Sequence, residues 1–285
     1  MRAYDAGRWL LLAALWSTQY LFLRVSVPVL GAESVTAARA LLSAAVLVPW
    51  VIYVARQRIS PLEHWRDHLA IGLLNNVLPF ACFSYAALKL PASYLAIMSG
   101  LVSLSAAVIA APVLGERLGV ARIAGFVLGI AGVALIVNLG PVEVNADVLL
   151  GVAAGMAGAG LWGWAGVMIK QRYRQLPPMA LAAGSLAYAA VLLAPLLLRV
   201  PPPSAWTLEA AAALLGLSFL CTALAYLPFF SLVRDIGPSR TLTVGLTIPA
   251  LGVLWGWLFL DEVVTWTMLA GAALVLVAVA LVLRR

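Results

Sequence analysis

The chain has 285 residues, of which 64% are hydrophobic and only 10% are charged. About a quarter of the residues in soluble domains are charged, so this composition excludes the two soluble domains that the length alone would allow. The formal net charge is +7. The basic residues are spread over many loops instead of forming one patch, so we expect no nucleic-acid partner.

Apolar runs recur along the whole chain at lengths that suit a membrane. A hydrocarbon core of about 30 Å needs roughly 20 apolar residues per helix. Only helices and closed barrels satisfy every backbone hydrogen bond there, and runs of this length are helical. The sequence therefore predicts an all-α membrane protein of ten transmembrane helices, at residues 9–27, 35–54, 69–88, 94–114, 120–138, 148–169, 180–198, 210–232, 241–260 and 266–283.

The second five spans repeat the first five at a constant offset of 146 residues. An odd number of crossings turns the second copy upside down in the bilayer, which is the inverted-repeat architecture of alternating-access transporters. We therefore predict two five-helix repeats, at residues 1–139 and 140–285. The matched pairs are Trp16 with Trp162, Pro49 with Pro195, Glu63 with Glu209, Ser93 with Ser239, Glu116 with Glu262 and Gly125 with Gly271.

The distribution of basic residues predicts the orientation. With a cytoplasmic N-terminus, 14 of the 18 basic residues lie on the cytoplasmic side, as the positive-inside rule requires. We therefore expect both termini in the cytoplasm, a retained first helix and a multi-pass protein in contact with the lipid bilayer. The four basic residues on the other side are Arg24, Arg39, Lys89 and Arg199.

Polar and aromatic residues interrupt six of the ten spans. Because such groups are costly in lipid unless they face a partner or water, spans 1, 3, 4, 6, 8 and 9 are predicted to surround a central cavity. Spans 2, 5, 7 and 10, which are nearly free of polar groups, are predicted to lie outside as supports. The candidate substrate-binding residues are Trp16, Gln19, Tyr20, Asn76, Phe80, Phe83, Tyr94, Met98, Trp162, Tyr226, Thr243 and Thr247.

The competing interpretation of each of these side chains is structural. Ser, Thr and Asn often form hydrogen bonds between transmembrane helices without touching a substrate. Prolines inside the spans (Pro79, Pro112, Pro228 and Pro249) either act as hinges or give fixed curvature. Glu116 and Glu262 each precede the next helix, where a carboxylate favours the positive end of the helix dipole. Small-residue pairs such as Gly125 and Gly129 predict close helix packing within the chain.

Ionisable groups are absent from the middle of the spans. No carboxylate lies there, which argues against proton coupling through a buried acid and against a lipophilic-cation substrate. Arg39 in span 2 is the nearest basic residue, and a phosphorylated substrate is disfavoured. His64 and His68 are expected in solvent, no phosphate-binding GxxxxGK motif is present, and no metal site, cofactor or catalytic residue is predicted. An uncharged midplane cavity suits a zwitterionic or neutral amphipathic molecule.

Several motifs resemble the EamA branch of the drug/metabolite transporter superfamily. They include WS at residues 16–17 answered by WG at 162–163, SYLA at 93–96, LGERL at 114–118 and AGFVLGIAG at 124–132. The second half repeats them with PSR at 238–240, LDEVVT at 260–265 and AGAA at 270–273. The resemblance covers essentially the whole chain and is greatest to bacterial inner-membrane amino-acid exporters of the YddG type.

The resemblance implies a ten-helix basket and the export of amino acids and related metabolites. We therefore expect an inner-membrane secondary transporter for aromatic or broadly neutral amino acids, as a monomer or weak homodimer. A carrier for sugars or nucleotide-sugars is the alternative. An intramembrane enzyme would need a catalytic pair or metal cluster at depth, and the sequence contains none. A passive channel would differ from a carrier in its flux.

Overall fold

The computed structural model describes residues 3–115, 119–172, 176–199, 206–237, 240–241 and 243–283. Within these residues the secondary structure is entirely helical. Eight helices are long and apolar enough to cross a membrane, and two shorter apolar helices follow them. In chain order they are α1 (Ala3–Leu30), α2 (Ala32–Val54), α3 (Trp65–Lys89), α4 (Ala92–Val113), α5 (Val120–Leu139), α6 (Ala146–Lys170), α7 (Pro178–Arg199), α8 (Leu208–Ile236), α9 (Ile248–Leu260) and α10 (Trp266–Leu283).

The predicted all-helical, ten-segment fold is confirmed, and the ninth span is shorter than expected. The sequence predicted a helix over 241–260, but α9 begins at Ile248 after a short 3₁₀ segment, Thr243–Leu246. Pro249 is the reason, because proline is favoured in the first turn of an α-helix and cannot supply an N–H further inside one.

The helices pack as two repeats related by a pseudo-two-fold axis. Helix α1 of the first repeat contacts α8 and α9 of the second, and α6, its equivalent, contacts α3 and α4. The remaining helices pair with their own equivalents: α2 with α7, α4 with α9 and α5 with α10. This exchange of partners is the contact pattern that two inverted five-helix repeats produce.

Glycines bring α5 and α10 into backbone contact at the edge of the bundle. A Cβ on Gly132 would lie 2.8 Å from the carbonyl oxygen of Gly271, and one on Gly271 would lie 2.7 Å from that of Gly132. Gly125 faces the carbonyl of Ala278 at 2.9 Å in the same way. The small residues of span 5 therefore serve packing within the chain, as predicted.

Two helices contain π-helical segments in their interiors, at equivalent places. The π-helical segment Gly72–Val77 lies in α3, and Gly216–Leu224 lies in α8, at the same position in the second repeat. A proline follows each segment, Pro79 in α3 and Pro228 in α8. Proline has no N–H and its ring crowds the carbonyl four residues earlier, so the turn before it widens.

The expected solvated state of His68 is wrong, and the expected outer position of span 2 holds for only one face of the helix. Helix α2 contacts α1, α3, α7 and α8 through the face that carries Arg39, while Leu41 and Val46 on its other face are exposed. His68 is fully buried: its Nε2 lies 2.9 Å from the carbonyl oxygen of Ile59, and its ring stacks on Tyr188. Gly184 makes room for the imidazole, because a Cβ there would overlap the ring. The backbone partner satisfies Nε2, whereas Nδ1 has no hydrogen-bond partner among the described residues.

Glu262 stabilises a helix of the opposite repeat. Its carboxylate accepts hydrogen bonds from the backbone N–H groups of Ala92 at 2.6 Å and Ser93 at 3.0 Å, the first residues of α4. The sequence predicted a role at the start of the helix that follows Glu262. The structure shows the same chemistry on a different helix, because α4 and α9 pack together. The matched Glu116 lies outside the described residues.

Candidate functional site between the repeats

Three of the predicted residues form an aromatic cluster between α1, α3 and α6. The rings of Phe83 and Trp162 stack with centroids 4.8 Å apart, and Tyr20 packs on Phe83 at 5.6 Å. Tyr20 and Phe83 are almost completely buried. Aromatic contacts of this kind stabilise a core and also form the apolar walls of ligand sites.

A second cluster repeats this arrangement in the other half. Trp16 packs on Phe229 at 5.2 Å, and the contact continues through Phe230 to Tyr226. Trp16 and Phe229 are the repeat equivalents of Trp162 and Phe83, since both pairs are separated by the same offset. The structure therefore places one Trp–Phe pair on each side of the pseudo-two-fold axis. Phe229 and Phe230 were not among the predicted residues.

Two adjacent asparagines connect the clusters. Trp162 donates from its indole nitrogen to the backbone carbonyl of Asn75 at 2.9 Å. That carbonyl is the one that Pro79, four residues later, cannot serve. The side-chain amide of Asn75 makes longer contacts, 3.4 Å to Asn76 Oδ1 and 3.5 Å to the Tyr226 hydroxyl. The predicted residues Trp162, Asn76 and Tyr226 thus belong to one polar network at the π-helical part of α3.

The main feature that the sequence analysis missed is Arg39. Its side chain is buried, with 2% of the residue exposed. Nε donates to Thr222 Oγ1 at 2.9 Å and Nη2 donates to Gln19 Oε1 at 3.0 Å. The guanidinium carbon lies 3.8 Å from the centre of the Phe80 ring, a cation–π contact. The predicted residues Gln19 and Phe80 are therefore brought together by a charge.

The expectation of an uncharged centre is wrong for this reason. Arg39 lies seven residues after the start of α2, about 10 Å along the helix axis, and its side chain reaches Thr222 near the middle of α8. The repeat offset offered a signal: it matches Arg39 to Ser185 and Asn76 to Thr222. Asn76 donates to Ser185 at 3.3 Å, so the pair formed by Arg39 and Thr222 has a neutral counterpart.

Four predicted residues take no part in the polar contacts of Asn75 and Arg39. Tyr94 donates to the carbonyl of Ile136 at 3.1 Å, near the end of α5. Thr243 accepts from the indole of Trp9 at 3.2 Å, and Thr247 bonds within its own turn. Met98 and Tyr94 are buried in the same hydrophobic cluster as Tyr20 and Phe83. The three hydroxyl groups therefore have structural partners, and Met98 packs with the first aromatic cluster.

Two apolar grooves on the described surface lie away from the clusters. One, of about 650 Å³, lies between α1, α8 and the end of α9 and includes Phe22 and Phe259. The other, of about 470 Å³, lies between α2 and α8 and includes Trp50. None of the twelve predicted residues lines either groove. The residues around Arg39 are packed against one another in this structure.

Comparisons with known proteins agree on the class of protein. The chain is 23% identical over 228 residues to the uncharacterized transporter YoaV of Bacillus subtilis (strain 168), covering 79% of this chain and 78% of that protein. It is 28% identical over 238 residues to the uncharacterized transporter YvbV of the same organism, covering 81% and 77%. An uncharacterized transporter of Archaeoglobus fulgidus is 25% identical over 253 residues, covering 87% and 86%.

A crystal structure of another protein has the same fold. It superposes with a TM-score of 0.66 at 21% sequence identity and covers 99% of this chain and 96% of its own. The sequence model of the EamA-like transporter family matches residues 8–138 and again residues 149–284. The two matches cover most of both halves, and the chain therefore belongs to the EamA-like transporter family of multi-pass membrane proteins.

Proposed function

We propose that the protein is a bacterial inner-membrane carrier that exports amino acids, aromatic or broadly neutral, between its two inverted repeats. The observation that supports this most is the convergence of aromatic and amide side chains from both halves, centred on Trp162, Asn75 and Tyr226. Sites of this composition, where the halves of a transporter meet, bind small amphipathic solutes.

The helix irregularities supply a route for alternating access. The π-helical segments of α3 and α8 lie at equivalent depths in the two repeats. A helix in which a proline has removed a backbone hydrogen bond bends more easily than a regular one. Bending of α3 and α8 would open one face of the bundle while the other stays closed.

Helices α8 and α3 each form an ion pair with the first helix of the opposite repeat, and the two ion pairs lie at opposite faces of the bundle. Arg8 of α1 bonds Asp235 of α8 at 2.8 Å, near the face that carries the N-terminus. Lys89 of α3 bonds Asp147 of α6 at 2.9 Å, near the other face. In the proposed cycle these pairs separate alternately, and the N-terminal face is the cytoplasmic one.

Transport into proteoliposomes tests the proposal. In a counterflow assay, the purified protein should take up radiolabelled neutral amino acids into vesicles loaded with the unlabelled amino acid. Unlabelled amino acids added outside should compete with this uptake, and sugars and nucleotide-sugars should not. If sugars inhibited uptake and unlabelled amino acids did not, the protein would be a sugar carrier and the proposal would be wrong. Conductance far above carrier turnover would replace it with a channel.

Asn76→Ala probes the site itself. We expect uptake to fall several-fold with unchanged protein yield, because the buried amide bonds Ser185 between the repeats. Asn138→Ala is the matched control, since the exposed amide of Asn138 donates to the Ala134 carbonyl within its own helix, at the end of α5. Equal uptake in both variants would remove Asn76 from the site.

A further inference from the structure

We propose that the Arg39 guanidinium binds the carboxylate of the transported molecule. The inference rests on the proposed function in one respect, that the ligand is the transported solute. It adds that this solute carries one negatively charged carboxylate, and that a lining of neutral groups is insufficient to recognise it.

The first argument is an unused donor. Arg39 Nη1 is buried and makes no hydrogen bond among the described residues, while Nε and Nη2 are both bonded. Leaving a buried charged donor unpaired is costly, so a partner for Nη1 would lower the energy of the site. Carboxylate and phosphate oxygens are the strongest partners that a guanidinium finds in small metabolites, and of the two a carboxylate carries the single negative charge.

The second argument is charge. The contacts of the guanidinium are an amide, a hydroxyl and an aromatic ring, from Gln19, Thr222 and Phe80. No carboxylate among the described residues lies within 4.0 Å of its nitrogens. Arginine keeps its proton in proteins, so the site carries one uncompensated positive charge. One monoanion neutralises it.

The third argument is rigidity. Nε and Nη2 are held by groups from two different helices, Thr222 of α8 and Gln19 of α1. The face of the guanidinium rests on Phe80 of α3. These contacts fix the plane of the guanidinium and leave Nη1 as its unbonded nitrogen. A pre-oriented donor loses little entropy when a ligand binds.

The fourth argument is position. The groups that hold Arg39 come from both repeats, and Thr222 lies near the middle of the 29-residue helix α8. Inverted-repeat transporters bind their substrates at this depth, where the halves meet. The equivalent position in the second repeat is Ser185, which bonds Asn76. The site is therefore charged on one side of the pseudo-two-fold axis and neutral on the other. This suits a ligand that carries its carboxylate at one end.

Binding to the purified full-length protein in detergent tests the inference without transport. The probes are leucine, phenylalanine and 3-phenylpropionate, each paired with its amide, together with inorganic phosphate. We expect each acid to bind about ten-fold to one hundred-fold more tightly than its amide. The amide keeps an oxygen that can accept from the guanidinium, but it lacks the negative charge that strengthens this hydrogen bond. Phosphate should bind more weakly than the acids, since a single guanidinium does not balance a dianion.

Variants locate the effect. Arg39→Gln should abolish the preference for acid over amide, and Arg39→Lys should retain part of it, because lysine keeps the charge without the planar fork. Arg199→Gln is the matched control: Arg199 forms an exposed ion pair with Glu33, and its loss should leave the preference unchanged. Melting temperatures establish that each variant is folded.

The outcomes separate the two proposals. Equal affinity for acids and amides in the native protein would overturn the inference, and this measurement needs no variant. A preference for acids that survives in folded Arg39→Gln would overturn it as well. Tighter binding of phosphate than of the acids would show that Arg39 recognises a phosphate group and not a carboxylate. Preferential binding of acids without any transport of amino acids would leave Arg39 as the carboxylate site and refute the proposed export.

Discussion

Trp162 stacks on Phe83 across the boundary between the two repeats, with ring centroids 4.8 Å apart. Their equivalents, Trp16 and Phe229, form the second such pair at 5.2 Å. Each pair joins the first helix of one repeat to the third helix of the other. Each pair takes one ring from each repeat, so the aromatic interior forms only when the two halves are packed together.

The hydrogen bond of Trp162 provides the first prediction. Trp162→Phe keeps an aromatic ring against Phe83 but removes the donor to the Asn75 carbonyl. We expect a loss of about 1–3 kcal/mol in the free energy of unfolding, the usual cost of an unsatisfied buried group. Thermal unfolding in detergent measures it. Trp257→Phe, at a residue 57% exposed on α9, should change stability by less than about 0.5 kcal/mol.

The carboxylate of Glu262 provides the second. Glu262→Ala removes the acceptor for two N–H groups at the start of α4, and we expect a destabilisation of about 0.5–2 kcal/mol. Glu262→Gln should cost less because it keeps an acceptor oxygen. Chemical or thermal denaturation of the purified variants measures both. Glu143→Ala removes an exposed acid from a loop and serves as control; an equal loss there would contradict the assignment.

The close contact of α5 and α10 provides the third. Gly132→Ala places a methyl group 2.8 Å from the carbonyl oxygen of Gly271. This oxygen belongs to the backbone, so the clash cannot be relieved by rotating a side chain. We expect a loss of about 1–3 kcal/mol, typical of overpacking. Gly160→Ala is the matched control, because no atom lies within 4 Å of the new Cβ. It should be neutral or stabilising by up to about 1 kcal/mol, since alanine favours helix. Equal melting temperatures in the two variants would contradict the packing.

Orientation provides the fourth prediction, from the excess of basic residues on one side of the sequence. A green fluorescent protein fused after residue 285 should fluoresce in intact bacterial cells, and alkaline phosphatase at the same position should be inactive. The same enzyme inserted in the loop between α5 and α6, beside Glu143, should be active. The opposite pattern would reverse the proposed direction of the termini.

The ten helices and their duplication could be predicted because both depend on one-dimensional patterns: the length of apolar runs and a constant offset. Trp162, Phe83 and Asn76 could be predicted for the same reason, as polar or aromatic breaks in those runs. The buried face of α2 could also have been predicted, because the polar residues Thr36, Arg39 and Ser43 recur at i, i+3 and i+7. The contacts of Arg39 could not. Its partners Gln19 and Thr222 come from distant helices, so only the folded chain brings them to the guanidinium.

The ion pairs at the two faces have opposite arrangements of charge. In the first repeat both members are basic, Arg8 and Lys89, and in the second both are acidic, Asp147 and Asp235. If two first halves met, Arg8 would oppose Lys89, and two second halves would oppose Asp147 to Asp235. Like charges at these contacts repel, so each half favours its unlike neighbour over a copy of itself. During synthesis, this discourages the first halves of two neighbouring chains from pairing with each other before their second halves are made.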